Sequence, residues 1–299
     1  YQEKMKIYRI IILSVIFFSS TWVGAQNNLS FHEQMVFSDY LIKNNFYYDC
    51  KTFVNYYLND PSLTNNQKDS LYYFAGKVYF ASEIFDTASV YFSKVSGNSA
   101  LHKEAAFYSS FCLAEDHCYD ESKISFSSLA SSEKFYNEFL NFEQYGAKLL
   151  ARDTSGCSSL KNTFTYSDKN FAVEESKLIL IEHDIILMKK MHKSGLLAGC
   201  MSAVIPGLGK IYAGKTKQGL SSFLPVTLLG VQAYEAYRKT GVKSARFILS
   251  AGLFSVFYIG NIWGSVLSVS VNRTEIHDEI NNQILFHMRI PFQRISGKN

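Results

Sequence analysis

The chain of 299 residues is poor in proline, with four in all. Because proline marks turns and stiff linkers, this scarcity excludes a Pro-rich linker and disfavours an all-β protein with many turns. The sequence also lacks H-E-x-x-H and G-x-S-x-G, the patterns of a zinc-binding helix and of a nucleophilic serine. Glu182, His183 and Asp184 are helix neighbours that face different ways, which predicts a solvated surface. We therefore expect no enzyme, no metal and no cofactor.

Acidic residues are scarce in the second part of the chain. Residues 189–299 carry 14 Lys and Arg but only four Asp and Glu, whereas residues 1–188 carry 16 and 22. The net charges are therefore +10 and −6, which predicts two regions in different surroundings. Because the basic residues flank apolar runs, they indicate a membrane surface rather than nucleic acid.

The five cysteines have no spacing typical of a metal site. Four of them, Cys50, Cys112, Cys118 and Cys157, lie in the acidic region, where an even count permits disulfides. Buried free thiols are the alternative. Cys112 and Cys118 are six positions apart and could pair only if a turn separates them.

Residues 1–25 have the pattern of a secretory signal peptide. Lys6 and Arg9 stand at the start of an apolar run that covers residues 10–18, and small residues precede a cleavage site after Ala25. Because the run is short for a bilayer-spanning helix, we expect cleavage rather than an uncleaved anchor. The mature chain is then exported, most simply to a bacterial periplasm.

An internal helical repeat is predicted within residues 26–155. Gly76, Tyr79, Ala88 and Phe92 have the spacing that a helical hairpin needs, with small residues where its helices cross and large apolar groups beside them. The pattern returns more weakly after a shift of 34 residues.

This shift pairs Ala88 with Ser122 and Phe92 with Phe126. On these residues the segment resembles the tetratricopeptide family, which implies stacked helical hairpins. Such hairpins leave a concave groove that binds peptides or partner helices. A generic helical bundle with Ala and Phe at helical spacing is the alternative.

Residues 156–194 are predicted to form a loop and then a connecting amphipathic helix. Asp168 is a suitable N-cap, and Leu178, Ile181 and Ile185 repeat along one face of the helix. The helix ends in lysines that suit a helix C-terminus and would also meet lipid phosphates.

The segment GKIYAGKT, residues 209–216, matches the phosphate-binding pattern G-x-x-x-x-G-K-[ST]. Such a loop needs a preceding strand, a following helix and a downstream acidic residue that holds Mg²⁺. The acidic residues after Thr216 end no apolar strand; they are Glu235, Glu275, Asp278 and Glu279. We therefore expect no nucleotide to bind.

Two glycine motifs give a better account of this region. The first consists of Pro206, Gly207, Gly209, Tyr212 and Gly214, and the second of Tyr258, Gly260, Asn261 and Gly264. The first, P-G-x-G-x-x-Y, resembles a signature of small bacterial membrane domains. The second, Y-x-G-N-I-x-G, resembles a motif of tetratricopeptide-containing membrane proteins. The resemblance covers residues 195–272 and implies no enzymatic activity.

The hydropathy pattern agrees with a membrane domain over residues 195–271. Residues 245–271 are long enough to span a bilayer, and residues 219–237 nearly so. Residues 195–212 are interrupted and form either a half-hairpin or a third span. With two spans the basic loop 238–246 would be cytoplasmic, as the positive-inside rule prefers. The tail, residues 272–299, is expected to be a short amphipathic helix on the bilayer or against the bundle.

The polar residue in the last span must find a partner inside the bundle. We expect the break at residues 206–209 to pack against a face formed by Gly260 and Gly264, beside Asn261. On that arrangement, leucine at either Gly260 or Gly264 lowers the stability of the membrane domain.

The sequence as a whole predicts an all-α protein in which tetratricopeptide-like hairpins precede a small helical transmembrane domain. The expected function is a non-enzymatic, membrane-anchored adaptor of the bacterial envelope, located at the inner membrane with its repeats in the periplasm. Its expected partners are membrane lipid and an unidentified protein in the groove, with no nucleic acid. The first alternative is a subunit of a membrane transport or protein-insertion machine, and the second is an enzyme.

Overall fold

The computed structural model describes residues 31–129, 134–164, 166, 172–190 and 193–296. For His32, Gln34 and residues 292–296 it describes the backbone alone. The described chain is helical and contains no strand, which confirms the predicted all-α class. The predicted signal peptide and the predicted N-cap Asp168 lie outside the described residues.

The chain divides into two compact units between Lys134 and Phe135. The predicted repeat domain extended to residue 155, so the observed boundary is about one helix earlier. The physical reason is that the helix before residue 150 buries its apolar face within the second unit, where the Tyr145 hydroxyl donates to Glu182 Oε2 at 2.8 Å.

The first unit is a series of three helical hairpins. Its helices are α1 (Phe31–Lys43), α2 (Tyr47–Leu58), α3 (Asn65–Ala81), α4 (Phe85–Ser93), α5 (His102–Glu115) and α6 (Tyr119–Ser128). Consecutive helices are joined by short connections and pack against each other, as in antiparallel helical hairpins. The connection between α2 and α3 ends in a capping box, in which the side chains of Thr64 and Gln67 each accept from the other residue's backbone N–H.

The turn inside each hairpin has the same backbone geometry. Asn45, Glu83 and His117 adopt left-handed conformations, with φ of 63°, 57° and 63°. The residue after each one donates its N–H to the carbonyl five positions earlier, as Ile84 does to Tyr79 at 2.9 Å. Glu83 and His117 are 34 positions apart, which is the period that the sequence predicts.

The second unit contains the remaining helices. They are α7 (Lys134–Leu150, which starts at the last residue of the first unit), α8 (Cys157–Lys161), α9 (Ala172–Lys190), α10 (Gly195–Val204), α11 (Leu208–Ala213), α12 (Thr216–Thr240) and α13 (Ala245–Ser296). The predicted loop after residue 156 therefore includes one short helix, α8.

The C-terminal part of α13 packs with α9 and α7 around a core of large apolar side chains. Tyr145, Leu178, Ile284 and Met288 are fully buried there. A Cβ built at Gly146 would overlap the Met288 side chain, so α7 and α13 approach closely. The connecting helix of the prediction, α9, is thus part of a core rather than a free arm.

Helix α13 continues without interruption through the predicted tail. It runs for 52 residues, from an exposed apolar part into the segment that packs on α9. The expectation of a separate short tail helix is wrong in this respect, whereas the expectation that it packs against other helices agrees with the buried Ile284.

All five cysteines are free thiols. Cys50, Cys112 and Cys157 are fully buried. Burial, the largest cause, raises the pKa of Cys50 and of Cys157 to about 11, so these thiols remain protonated and unreactive at neutral pH.

Candidate functional site

The residues predicted to pack the repeats meet inside the hairpins. Gly76 and Phe92 face each other across α3 and α4, and a Cβ at Gly76 would lie 2.6 Å from the Phe92 ring. Ala88 is fully buried beside them, and the Tyr79 ring stacks on Tyr91 with centroids 5.2 Å apart. The glycine thus lets the two helices cross at the distance that the aromatic ring requires.

The hairpin of α5 and α6 repeats this packing, with Ser110 at the position that Gly76 has in the hairpin of α3 and α4. Ser122 donates its hydroxyl hydrogen bond to the carbonyl of Ser110 at 2.9 Å, and both side chains are fully buried. Phe126 is fully buried against Phe107, with ring centroids 5.3 Å apart. A small residue therefore stands at the helix crossing in both hairpins, 34 positions apart.

Helices α1 and α3 form an open groove of about 340 Å³ in the first unit. Its lining combines apolar Met35 with polar Ser70, Tyr73 and Asp39. Lys77 lies 3.8 Å from an Asp39 carboxylate oxygen and 5.8 Å from the centre of the Tyr73 ring. We call this surface the inner groove. Its mixture of aromatic and charged groups suits a peptide that has both apolar and polar side chains.

The first glycine motif makes a sharp turn between α10 and α11. Pro206 restricts the preceding Ile205 to an extended backbone, with φ −130° and ψ 113°, so α10 ends there. Gly207 follows with φ +83°, a conformation that favours glycine. Its N–H donates to Asn261 Oδ1 at 3.1 Å. We call the α10–α11 pair, residues 195–213, the glycine hairpin.

A buried polar cluster holds the glycine hairpin against α13. The Ser202 and Ser265 hydroxyl oxygens are 2.6 Å apart, and the Gly209 N–H donates to Ser202 Oγ at 2.9 Å. Asn261 accepts from Gly207 and also donates to the Ser202 carbonyl at 3.4 Å. Asn261 is therefore paired inside the bundle, where the sequence predicts that it must find a partner.

Close backbone contacts explain two glycines of this region, and a left-handed conformation explains a third. A Cβ at Gly209 would overlap the Ala198 carbonyl and lie 2.7 Å from Ser202 Oγ. A Cβ at Gly207 would overlap the backbone of Gly219 on α12. Gly214 ends α11 with φ +101°. No side chain fits at the first two positions without a backbone shift.

The two tyrosines of the motifs bond to opposite ends of α10. The Tyr212 hydroxyl oxygen accepts from the Ser194 N–H at 3.2 Å, and the Tyr258 hydroxyl donates to the Ala203 carbonyl at 2.5 Å. These bonds link the first and second motifs through α10.

Gly260 does not make the contact that was expected of it. A Cβ there would meet nothing within 4 Å, and one at Gly264 would lie 3.4 Å from the Lys210 side chain, an ordinary contact. The hairpin packs instead on the face of α13 that carries Asn261 and Ser265. Because successive helix residues are about 100° apart, Gly260 points away from that face. The expected packing of the break at residues 206–209 against Gly260 is therefore wrong, and the lower stability expected for leucine there loses its basis.

Ser202, Ser265 and Gly219 are central to this packing and were not predicted. Serines are frequent in helices of every kind, so their letters alone indicate no contact. Their spacing from Asn261 offers one signal, since Ser265 lies four residues later on the same face.

The GKIYAGKT segment does not form a phosphate loop. Residues 208–213 are helical, and the N–H groups of Lys210 and Ile211 both bond to the Gly207 carbonyl, at 3.1 and 3.2 Å. Lys215, the residue that would reach a phosphate, lies 2.5 Å from Glu275 Oε1. The backbone N–H groups and the lysine that would bind a phosphate therefore already bond to other groups of the chain.

A large apolar surface covers α10, α12 and the first part of α13. The side chains that are more than half exposed include Leu196, Val204, Leu220, Leu224, Leu228, Val231, Ile248, Leu249, Leu253, Val256, Ile259, Trp263 and Leu267. Of the described helices, one is long and apolar enough to cross a membrane; it covers Ala245–Pro291, and only 11% of its most apolar window is buried. The second predicted span, 219–237, lies in α12 and remains a prediction.

Glu182 is not on a solvated face, although its helix neighbours His183 and Asp184 are exposed. It is buried, and its carboxylate accepts from Tyr145 and lies 3.3 Å from Lys161 Nζ. Sequence reasoning predicted all three residues to be solvated, and Glu182 is the exception because it faces α7.

Among the described residues, no group of three or more His, Cys, Asp and Glu side chains is arranged to hold a metal ion. Comparison of the chain with protein-family models, with curated proteins and with solved structures gives no match. The likeness to tetratricopeptide proteins and to small membrane domains therefore rests on the motif residues and on the period of 34 residues.

Proposed function

We propose that this protein is a non-enzymatic adaptor that is anchored in the bacterial inner membrane. Helices α10–α12 and the apolar part of α13 lie in the bilayer, and the inner groove binds a segment of a protein partner in the periplasm. The observation that carries the proposal is the candidate span in α13, whose apolar side chains are mostly exposed. Exposed apolar surface of this extent is typical of a membrane or protein interface.

The packing of the second unit supports two spans and a half-hairpin. Gly195, at the start of α10, lies beside Val266, and the end of α10 bonds to Tyr258. Helix α11 then returns to the level of Asn272, which lies beside Gly214. The glycine hairpin thus runs along only one half of the apolar part of α13, whereas α12 follows its full length.

Both ends of the apolar part carry basic residues. The segment from the end of α12 to the start of α13 has Arg238, Lys239, Lys243 and Arg246, and the opposite end has Lys193, Lys215, Lys217 and Arg273. We place the first segment in the cytoplasm, which the positive-inside rule accepts. The opposite end, where α9 and the C-terminal part of α13 pack together, then lies outside. That orientation agrees with the export signal predicted at the N-terminus.

Labelling of Cys200 tests membrane insertion, because this thiol is exposed on α10. In membrane fragments that are open on both sides, a water-soluble maleimide should label the half-exposed Cys118 but leave Cys200 unmodified until SDS is added. Lipid excludes both the reagent and the thiolate form. Equal labelling of both cysteines in the intact fragments contradicts insertion.

Photocrosslinking tests the inner groove in the full-length protein. A photoreactive residue in place of Ser70, inside the groove, should give a discrete protein adduct in intact cells. The control is the same residue in place of Val90, which is exposed on α4. Reversal of charge by Lys77→Glu should abolish the Ser70 adduct. Identical adducts from both positions contradict binding in the groove.

A subunit of a membrane transport or insertion machine is the second candidate. This function is favoured by a pair of polar side chains beside the apolar surface, in which Lys210 Nζ donates to Ser222 Oγ at 2.6 Å. If this function holds in place of the adaptor, a photoreactive residue at Ser70 should give no partner adduct.

A further inference from the structure

Lys210 extends its side chain between α12 and α13 in the second unit, and the role inferred for it rests on the proposed membrane insertion. Its side chain leaves α11 and reaches Ser222 on α12, with Nζ and Oγ 2.6 Å apart. On the other side, a Cβ at Gly264 of α13 would lie 3.4 Å from the Lys210 Cε. We call these three residues the lysine crevice.

The ammonium group lies below the charged ends of the helices. On α12 the nearest charged residue towards the helix start is Lys217, five positions before Ser222, which corresponds to about 7 Å. On α13, Gly264 lies nine positions before Arg273, the next charged residue, or about 13 Å. The lysine is therefore at the level of lipid chains, where an unpaired charge is costly and marks a functional contact by default.

The described part of the chain supplies no carboxylate for this lysine. The ion pairs of the second unit join other residues, and the nearest acidic residue at this end of α13, Glu275, is engaged by Lys215. Lys210 instead donates to a neutral hydroxyl. Its positive charge therefore requires an anion from outside the chain.

We propose that the lysine crevice binds a transmembrane helix of a partner protein, and that an Asp or Glu of this helix pairs with Lys210. The exposed backbone next to the crevice favours a helix over a lipid. Gly260 is one turn from Gly264, and a Cβ there would meet nothing within 4 Å. A second helix can thus approach α13 closely beside the charge. A lipid phosphate remains in the headgroup layer, about 7 Å or more from this depth.

The test uses the full-length protein in phosphatidylcholine vesicles and a labelled, leucine-rich, single-span peptide. The peptide carries one Glu about five residues from its end, and the control peptide carries Gln at that position. Energy transfer measures binding. The Glu peptide should bind about tenfold more tightly than the Gln peptide, the size expected for one strong polar contact between helices in a membrane.

Variants assign this preference to the crevice. Lys210→Met should make the two peptides bind equally, and Lys210→Arg should retain the preference. Gly264→Leu should weaken both peptides by filling the crevice. Equal binding of both peptides to the unmodified protein overturns the proposal. So does loss of the preference when phosphatidylglycerol replaces part of the phosphatidylcholine, since the site would then belong to an anionic lipid.

Extraction of the membranes separates failure of the proposed function from failure of this inference. Extraction by alkaline carbonate would show that the chain is not inserted, which refutes the proposed function together with this inference. A chain that stays in the membrane but lacks the Glu preference refutes the inference alone. Thermal unfolding in detergent, followed by circular dichroism, verifies that Lys210→Met retains the fold.

Discussion

Substitution of Gly209 by Ala should strongly destabilise the glycine hairpin, although it adds only one methyl group. The new Cβ overlaps the carbonyl of Ala198 and lies 2.7 Å from Ser202 Oγ. The obstruction is backbone, which no rotamer change can remove. Relief of the overlap must also lengthen the 2.9 Å bond from the Gly209 N–H to Ser202.

The expected loss is about 3 kcal/mol. Overpacking of a rigid site costs about 3 kcal/mol at the upper end of its usual range. The disturbed hydrogen bonds add about 1 kcal/mol, and the better helix propensity of alanine returns about 1 kcal/mol. The equilibrium constant for unfolding of the second unit should therefore rise by a factor of roughly one hundred.

Titration of the purified protein in mixed micelles with SDS measures this change, with circular dichroism and the fluorescence of Trp263 as readouts. The matched control is Gly260→Ala, whose Cβ meets nothing within 4 Å. It should unfold no more easily than the unmodified protein, and the better helix propensity of alanine should stabilise it by up to about 1 kcal/mol. If the two variants unfold at the same SDS fraction, the assignment of the packing to Gly209 rather than Gly260 is wrong.

Three further predictions concern the first unit and the Tyr145 core, and denaturation of the full-length protein tests each of them. Gly76→Ala should destabilise the first unit by about 1–2 kcal/mol, because the new Cβ would lie 2.6 Å from the Phe92 ring, and a second substitution, Phe92→Leu, should relieve most of that penalty. The control is Gly97→Ala, whose Cβ meets nothing within 4 Å and which should have little effect. If the stability changes of Gly76→Ala and Phe92→Leu simply add in the double variant, the contact is refuted. Glu83→Gly should stabilise the turn between α3 and α4 by about 1 kcal/mol because φ there is 57°, and an unchanged midpoint in urea would refute it. Burial and a hydrogen bond to the Glu182 carboxylate raise the pKa of Tyr145 above its usual value. The stability that the protonated phenol contributes is therefore complete below pH 10 and should fall by up to about 1.4 kcal/mol per pH unit above pH 10. Tyr145→Phe should remove this part of the alkaline loss, and parallel pH profiles of the two proteins would contradict the prediction.

The hairpin of α3 and α4 was predictable because its packing leaves a mark in a single sequence. A glycine opposite an aromatic residue, at a separation that fits two antiparallel helices, indicates a close helix crossing. The turns were less visible. Glu83 and His117 hold left-handed conformations without glycine, so their letters carry no turn signal, and only the surrounding contacts fix them.

The turn at Pro206 and Gly207 was predictable from local chemistry, since proline ends the preceding helix and glycine accepts a positive φ. The face of α13 that contacts this turn was not predictable in the same way. Asn261 was expected inside the bundle, but the face around it was assigned to Gly260 rather than to Ser265. Two small residues on adjacent sides of one helix are equivalent in sequence, and only the position of α10 distinguishes them.

The length of α13 could not be inferred from hydropathy. The apolar pattern stops near residue 271, which suggests an element boundary, but the backbone continues its helix because Ile280, Ile284 and Met288 find partners on α7 and α9. The end of an apolar pattern is thus no evidence that the helix ends there. The unit boundary at residue 134 was missed for the same reason, since the partners of Tyr145 are distant in sequence.

A single helix of about 78 Å, the length of 52 residues, joins the exposed apolar part of the second unit to the core that α13 forms with α7 and α9. The helix has no break between these two parts where a rotation could be absorbed. A ligand that rotated the C-terminal end about the helix axis would therefore turn Gly260 and Trp263 through the same angle. A rotation of α13 would then link the two parts of the second unit.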